Sequence, residues 1–323
     1  MKNKKWISLA AAVVLAVTAL PMGVFAAKKD STEEKLTKVT LNEVAHSIFY
    51  APQYVAIEEG YFAEKGLDLT LVTGFGADKT MTAVISGEAD IGFMGAEASV
   101  YAYQEGATDP VVNFAQLTQR AGNFLVAREE MPDFKWEDLK GEKVLGGRKG
   151  GMPEMVFEYI LKKNGIDPQK DLTIDQSIDF GSTAAAFTSD DSAAYTVEFE
   201  PSATILEKEG AGYVVASLGE ASGYVPYTSY STKASYMKEN PEIIQKFTDA
   251  LQKGMDYVQN HTPEEIAEVI APQFKETDLE TITAIVKRYY DQDTWKSNLI
   301  FEKESFELLE DILEDAGELN EHV

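Results

Sequence analysis

Histidine and cysteine, the side chains most often used in metal binding and in catalysis near neutral pH, are scarce or absent in this chain. The 323 residues include three histidines and no cysteine. His261 precedes a predicted helix start and His322 is the penultimate residue, so we expect both at the surface, whereas His46 follows a predicted strand. Zinc sites usually combine several His, Cys or carboxylate ligands. The absence of cysteine also excludes disulfides and iron–sulfur clusters. We therefore predict no metal site and no cofactor.

No hydrolase or nucleotide-binding motif is present. The sequence contains neither a Gly-x-Ser-x-Gly elbow nor a His-Glu-x-x-His zinc motif. Residues 146–151 read Gly-Gly-Arg-Lys-Gly-Gly and resemble a phosphate loop, but they lack its closing Gly-Lys-Ser/Thr. Because no nucleophile comes with a base and an orienting partner, the sequence predicts binding rather than catalysis.

Two junctions in the first half of the chain carry residues suited to binding a small molecule. In open α/β sheets, ligands lie at the carboxyl ends of strands, where helices begin. Phe49 and Tyr50 follow the first predicted strand, and their rings either stack on a planar solute or pack beneath the loop. Gly76 follows the second strand, where it allows close backbone approach or forms a plain turn.

Two further junctions open helices whose unpaired amides can donate to a ligand oxygen. The first is Gly95-Ala96-Glu97, and the second is Gly150-Gly151-Met152, which precedes Pro153. Arg148 and Lys149 lie beside the second junction. They form a local positive charge that meets either an anionic ligand group or surface carboxylates.

Two glutamates end a predicted strand near residue 197. Glu198 and Glu200 lie on the same side of that segment if strand alternation continues through it. A carboxylate there can accept from ring N–H or amino groups and repel anions. The alternative for Glu200 is a helix-start glutamate stabilised by the helix dipole. Tyr227, near a predicted return crossing, either lines the same cleft or packs.

The elements that position these residues alternate between strand and helix. Short apolar strands are followed by helices of about ten residues, a pattern typical of βαβ units and parallel sheets. Residues 76–106 and 181–210 share one order: a helix, a strand, then a glutamate that opens a second helix. From residue 241 the chain is predicted to be largely helical. The fold class is therefore α/β, in two similar halves.

Composition and charge exclude several classes of function. The chain is 44% hydrophobic, which is enough for ordinary cores, and it carries a formal charge of −25. A nucleic-acid-binding protein needs clustered Lys and Arg, and a polybasic membrane-surface binder needs the same. Neither class fits this acidic chain, so we predict no nucleic-acid partner.

The N-terminus predicts export from the cytoplasm. Lys2, Lys4 and Lys5 precede an apolar run to Leu20, and small residues precede a cleavage point after Ala26. We expect residues 1–26 to be a signal peptide, with an uncleaved anchor as the alternative, and residues 27–35 to be a flexible tether. The mature protein is then extracytoplasmic.

Three stretches resemble the extracytoplasmic solute-binding proteins of ABC transporters. They are residues 54–69 (YVAIEEGYFAEKGLDL), 85–92 (ISGEADIG) and 136–141 (WEDLKG). The branch they resemble is the NMT1-like branch, which binds thiamine pyrimidine precursors, riboflavin, aliphatic sulfonates, taurine or nitrate. The resemblance covers about residues 38–270, and it fixes the family better than the ligand.

The resemblance implies a two-lobed, type II periplasmic binding protein fold. Each lobe would be a mostly parallel sheet flanked by helices. Lobe 1 would comprise residues 36–125 and 226–323, lobe 2 would comprise residues 126–225, and two crossing segments would form a hinge near Gln119. The implied partners are a small-molecule ligand and an ABC permease, and the default state is a monomer.

The resemblance also places the ligand contacts. The two aromatics after the first strand, the Gly95 and Gly150–Met152 helix starts and the Glu200-Pro201 step fall where family members bind their ligands. A carboxylate near Glu198 or Glu200 resembles binders of pyrimidine precursors more than binders of sulfonates. The family's lipobox cysteine is missing, so the protein is either periplasmic or retained by other means.

We therefore predict a receptor that delivers a thiamine pyrimidine precursor or a riboflavin-like molecule to an importer. Three alternatives stay open: a binder of sulfonate- or taurine-type anions through Arg148, an enzyme on the same fold, and a sensor subunit for a membrane kinase. The pyrimidine-synthase relatives use a cysteine-rich iron site, and this chain has no cysteine.

Overall fold

A computed structural model describes residues 35–178 and 181–323 of the chain. The predicted signal peptide, residues 1–26, and residues 27–34 of the predicted tether lie outside the described residues. In the described ranges, no helix combines the length and the apolar character needed to cross a membrane.

The strands of the described residues form two five-stranded sheets. They are β1 (Thr37–Glu43), β2 (Leu67–Thr73), β3 (Ile91–Gly95), β4 (Val111–Thr118), β5 (Asn123–Ala127), β6 (Lys143–Leu145), β7 (Thr173–Asp175), β8 (Tyr195–Phe199), β9 (Tyr213–Ser217) and β10 (Thr228–Lys233).

Helices cover both sheets. They are α1 (Ala51–Glu58), α2 (Tyr61–Glu64), α3 (Ala77–Ser86), α4 (Glu97–Gln104), α5 (Met152–Lys163), α6 (Thr183–Ser189), α7 (Ser202–Lys208), α8 (Leu218–Ser222), α9 (Ala234–Glu239), α10 (Pro241–Asn260), α11 (Pro263–Ile270), α12 (Leu279–Asp291) and α13 (Lys303–Ala316). Short 3-10 turns lie at Ile48–Tyr50, Trp136–Leu139 and Ala271–Gln273.

The two sheets have the same plan. The first has the order β2-β1-β3-β10-β4 and the second has the order β7-β6-β8-β5-β9. In each sheet the first three strands are parallel, and the fourth position is held by an antiparallel strand. Strands β3 and β5 are buried along their whole length, as expected of strands covered on both faces. The predicted α/β class and the two similar halves are confirmed.

Among the described residues, the chain passes between the sheets at residues 119–122 and 218–227. A third stretch runs alongside, where the Gln119 amide donates to the Thr294 carbonyl at 2.9 Å and the Trp295 ring N–H donates to the Phe49 carbonyl at 2.8 Å. Beyond it, α13 packs against α5 of the second sheet. We refer to the part built on the first sheet as lobe 1 and the part built on the second as lobe 2, and the lobe boundaries remain a prediction.

Candidate functional site

Strand ends and helix starts of the two lobes meet along one contact zone. We name this zone the seam: it comprises residues 45–50, 95–101 and 227 of lobe 1 and residues 122–124, 148–155 and 198–200 of lobe 2. Across it the Tyr101 hydroxyl donates to the Gly150 carbonyl at 2.9 Å, and the Ser47 hydroxyl donates to the Glu200 carbonyl at 3.4 Å. The seam is closed in this structure.

Aromatic rings fill the part of the seam next to the crossing segments. Phe49 is fully buried, with ring centroids 5.2 Å from Tyr50, 5.7 Å from Phe199 and 5.7 Å from Tyr227. A Cβ on Gly122 would lie 2.5 Å from the Phe49 ring, so glycine is needed there for the ring to approach the backbone. The predicted stacking residues therefore lie together at the seam.

Glu97 carries a buried carboxylate at the start of α4. Its own backbone amide and that of Met152, across the seam, donate to the carboxylate, while Oε2 has no hydrogen-bond partner. Burial raises the pKa of Glu97 to about 7, against the opposing effects of the two amides and of the Arg148 charge. A Cβ on Gly95 would overlap this carboxylate, which explains the glycine at that position.

Two more buried polar atoms at the seam lack a partner. The Asn123 side chain donates to the Pro153 carbonyl at 3.5 Å, but its Oδ1 accepts nothing. The Tyr227 hydroxyl is buried without a hydrogen-bond partner. Burial holds the pKa of this phenol well above its usual range, and the nearby Tyr50 and Glu97 charges add to the rise. Buried polar groups are nearly always hydrogen-bonded in proteins, so such atoms mark a place where a ligand can bond.

Sequence reasoning did not identify Asn123. An Asn after Gly122 suggests a turn, but here the residue begins β5 and is fully buried. The only sequence signal is its position directly after the first crossing segment.

Most amides of the Gly150–Met152 loop already have partners within the protein. The Gly150 amide donates to Glu154 Oε2 at 3.1 Å, and the Gly151 amide donates to the Arg148 carbonyl at 3.4 Å. The Met152 amide donates to Glu97. Arg148 lies at the exposed rim, where its guanidinium is 3.7 Å from the Asp78 carboxylate of lobe 1.

The two predicted acceptor glutamates have different surroundings. Glu198 accepts from the Thr196 hydroxyl at 2.6 Å and from the Thr183 side chain, and burial raises its pKa to about 7. Glu200 accepts from the Thr204 amide at 2.9 Å and from the Arg288 guanidinium at 2.7 Å. Both carboxylates are therefore hydrogen-bonded within the protein.

The remaining predicted residues lie around the seam. The Gln119 carbonyl accepts from the Val225 amide at 2.9 Å, which joins the two crossing segments. Gly76, with a φ of 149°, precedes α3, and its amide donates to the Val44 carbonyl at 3.1 Å. Ala96 is buried, and its carbonyl accepts from the Ser99 hydroxyl at 2.9 Å.

In the part of the chain that the structure describes, one group of residues approaches metal-ligand geometry. It comprises Asp311, Glu314 and His322 on the surface of α13 and the C-terminus. All three side chains are exposed, and the His322 ring lies 3.3 Å from the Asp311 carboxylate and 3.8 Å from the Glu314 carboxylate.

Comparison with known families gives one match that spans most of the chain. Residues 48–266 match the family model described as NMT1/THI5 like. Among curated proteins, the provisionally named binding protein YtlA of Bacillus subtilis (strain 168) is 46% identical over 319 residues, covering 99% of this chain and 94% of that protein.

Two more distant curated relatives carry specific names. The riboflavin-binding protein RibY of Chloroflexus aurantiacus is 25% identical over 71% of this chain and 65% of that protein. The 4-amino-5-hydroxymethyl-2-methylpyrimidine phosphate synthase THI11 of Saccharomyces cerevisiae is 24% identical over 65% of this chain and 63% of that protein.

Solved structures share the architecture. The alkanesulfonate-binding protein SsuA of Xanthomonas axonopodis pv. citri, bound to MOPS, superposes with a TM-score of 0.70 over 89% of this chain and 96% of that chain, at 14% identity. The periplasmic nitrate-binding protein NrtA of Synechocystis PCC 6803 superposes with a TM-score of 0.64 over 78% and 70%, at 18% identity. At these identities the likeness concerns the fold.

Proposed function

The chain belongs to the NMT1/THI5-like family of solute-binding proteins with the periplasmic binding protein fold, and we propose that it captures a small ring-bearing solute at the seam. The solute is a thiamine pyrimidine precursor or a riboflavin-like molecule. The protein acts outside the cytoplasm and delivers the solute to an ABC permease, which supplies the energy for transport.

Three buried polar atoms without partners carry this proposal: Glu97 Oε2, Asn123 Oδ1 and the Tyr227 hydroxyl. All three belong to seam residues, and the first two side chains bond to the adjacent residues Met152 and Pro153. An amide oxygen and an ionised carboxylate only accept hydrogen bonds. A solute that satisfies them therefore presents N–H or O–H donors, as amino-substituted and lactam rings do.

The aromatic residues of the seam favour a solute with a planar ring over a solute with an aliphatic chain. Phe49, Tyr50, Phe199 and Tyr227 pack against one another in edge and tilted contacts. Such side chains rearrange into stacked geometry on a flat ring at little cost, because offset-stacked and edge arrangements are of similar energy.

The alternative of a sulfonate or nitrate solute is supported by the fold likeness to SsuA and NrtA. The negative charge of an ionised carboxylate at the seam opposes the binding of such an anion. A second anion about 4 Å from an ionised carboxylate is repelled by roughly 4 kcal/mol at an effective dielectric constant of about 20. Arg148, the cation assigned to an anion in that alternative, is more than half exposed and faces Asp78.

An enzyme on this fold is a weaker candidate. The synthase THI11 is a relative at 24% identity, but the chain has no cysteine. The seam residues also do not form a set of nucleophile, base and orienting partner.

Lobe closure is the proposed mechanism. Solute enters when the lobes part and contacts both of them when they close, and it favours the closed state by its differential affinity. The crossing segments at Gln119 and Val225 and the adjacent stretch at Thr294 supply the hinge.

Ligand binding tests the proposal directly. Native mass spectrometry of the purified protein should reveal a co-purified solute with the mass of a ring compound. Thermal shift should show stabilisation by 4-amino-5-hydroxymethyl-2-methylpyrimidine or riboflavin and none by taurine. Stabilisation by taurine alone would refute the ring-solute proposal.

A further inference from the structure

Glu97 is the one glutamate of the seam with an unused oxygen among the described residues. It is 4% exposed, and Oε2 lacks a partner, whereas the Glu198 and Glu200 carboxylates bond to threonines and to Arg288. An ionised carboxylate in such a place is costly unless a further donor is present. The position therefore calls for a donor that the protein itself does not supply.

None of the groups described around Glu97 supplies a hydrogen-bond donor to its Oε2. Three phenols lie near it: those of Tyr50, Tyr101 and Tyr227, and its charge adds to the rise in pKa that burial gives each of them. The Tyr101 hydroxyl is already committed to the Gly150 carbonyl. The cation that acts on Glu97, Arg148, is at the solvent-exposed rim.

Glu97 also connects recognition to closure. It stands on lobe 1 at the end of β3, yet it accepts from the Met152 amide at the start of α5 on lobe 2. When the lobes part, that amide moves away and the carboxylate gains solvent. Its environment, and therefore its preference for a donor, changes with the position of the lobes.

We propose that Glu97 is the specificity-determining carboxylate of the seam: its Oε2 accepts an N–H of an amino-bearing or cationic ring and rejects anionic solutes. This role rests on the proposed function, and it assigns to Glu97 the discrimination that the sequence had suggested for Glu198 or Glu200. The Met152 contact makes the discrimination take effect in the closed state.

Binding measurements on Glu97→Gln test this role. Glu310→Gln is the matched control, because Glu310 is a buried glutamate of α13 outside the seam. Calorimetry at pH 8 would compare both variants with the unaltered protein, using 4-amino-5-hydroxymethyl-2-methylpyrimidine and taurine as probes. We expect Glu97→Gln to bind the aminopyrimidine at least tenfold more weakly, to bind taurine no more weakly than the unaltered protein, and to unfold at a temperature no lower than that of the unaltered protein. Glu310→Gln should change aminopyrimidine affinity less than threefold.

Each other outcome counts against the assignment. Unchanged aminopyrimidine affinity in Glu97→Gln, or an equal loss in both variants, would overturn the role of Glu97 while leaving ring-solute binding intact. Binding of taurine alone by the unaltered protein would overturn both the proposed function and the assignment. Binding of neither probe would overturn the assignment of Glu97 to an amino-bearing ring and leave a riboflavin-like solute as the proposed function. If Glu97→Gln does not fold, Glu97→Asp retains the charge but withdraws the oxygen, and it should lose aminopyrimidine affinity while still excluding taurine.

Discussion

Replacing the Glu97 carboxylate should stabilise the empty protein at alkaline pH. Burial raises the pKa of Glu97 from 4.5 to about 7, so the folded state binds this proton more tightly than the unfolded state does. Stability from this group is fully present below pH 4.5 and is lost as the pH rises through 7. At about 1.4 kcal/mol per pKa unit, the loss reaches about 3 kcal/mol. Gln cannot ionise, so Glu97→Gln escapes the loss.

Urea unfolding at pH 4.5 and pH 8 measures this effect as a difference between Glu97→Gln and the unaltered protein. Other buried carboxylates with raised pKa values, Glu154 and Glu198, titrate in both proteins, so their contributions cancel. The free energies of unfolding should be nearly equal at pH 4.5, and the variant should be more stable by about 3 kcal/mol at pH 8. Equal or lower stability of Glu97→Gln at pH 8 would show that its carboxylate is compensated and would refute the reasoning.

Three further substitutions probe the surroundings. Arg288→Met withdraws the guanidinium from the buried Glu200 carboxylate and should lower the free energy of unfolding in urea by about 3 kcal/mol; an unchanged value would mean that the pair is solvated. Gly122→Ala places a Cβ 2.5 Å from the Phe49 ring and should cost about 2 kcal/mol and weaken riboflavin or aminopyrimidine binding; wild-type affinity by calorimetry would contradict this. Tyr227→Phe removes an unpartnered hydroxyl, so it should raise the free energy of unfolding of the empty protein by about 1 kcal/mol while lowering solute affinity about fivefold; a large loss of stability would show that the hydroxyl has a structural partner.

The helices could be predicted where their ends carry strong local signals. Gly87 and Gly317 end α3 and α13 in left-handed conformation, which glycine adopts readily. Thr262 caps α11 with Glu265 returning the bond, a capping box that the Thr-x-x-Glu pattern favours.

Strand β5 carries no periodic signal of a strand in its sequence. In β5 all five residues are buried, so the alternation that marks a half-buried strand is absent. Its sequence, Asn-Phe-Leu-Val-Ala, becomes a strand because β8 and β9 pair with it on either side. That pairing is made by segments distant in the chain, and local sequence does not report it.

The sequence could locate the candidate site, but it could not predict which hydrogen bonds and ion pairs the site residues form. Strand alternation placed Glu198 and Glu200 on one side, but β8 ends at Phe199. Glu200 lies in the turn that follows and binds Thr204 and Arg288, so the alternation rule no longer applies to it. Likewise, the Gly150 amide was expected to be free at a helix start, and Glu154 of the same helix accepts from it.

The unpartnered polar atoms raise the free energy of the empty closed state, and a solute that bonds to them can offset this cost. Leaving a buried donor or acceptor unsatisfied costs about 1–3 kcal/mol, so Glu97, Asn123 and Tyr227 together cost the empty closed state several kcal/mol. A shift from 1% to 99% of a state requires about 5.5 kcal/mol of differential binding. A solute that satisfies all three atoms recovers a comparable amount on closure. Partial satisfaction should therefore close the lobes only partly, because each unmet atom keeps its share of the cost. A ring that lacks one donor should accordingly bind more weakly, and small-angle scattering should show a larger fraction of open protein with it. If both rings compact the protein equally, these three atoms do not control lobe closure.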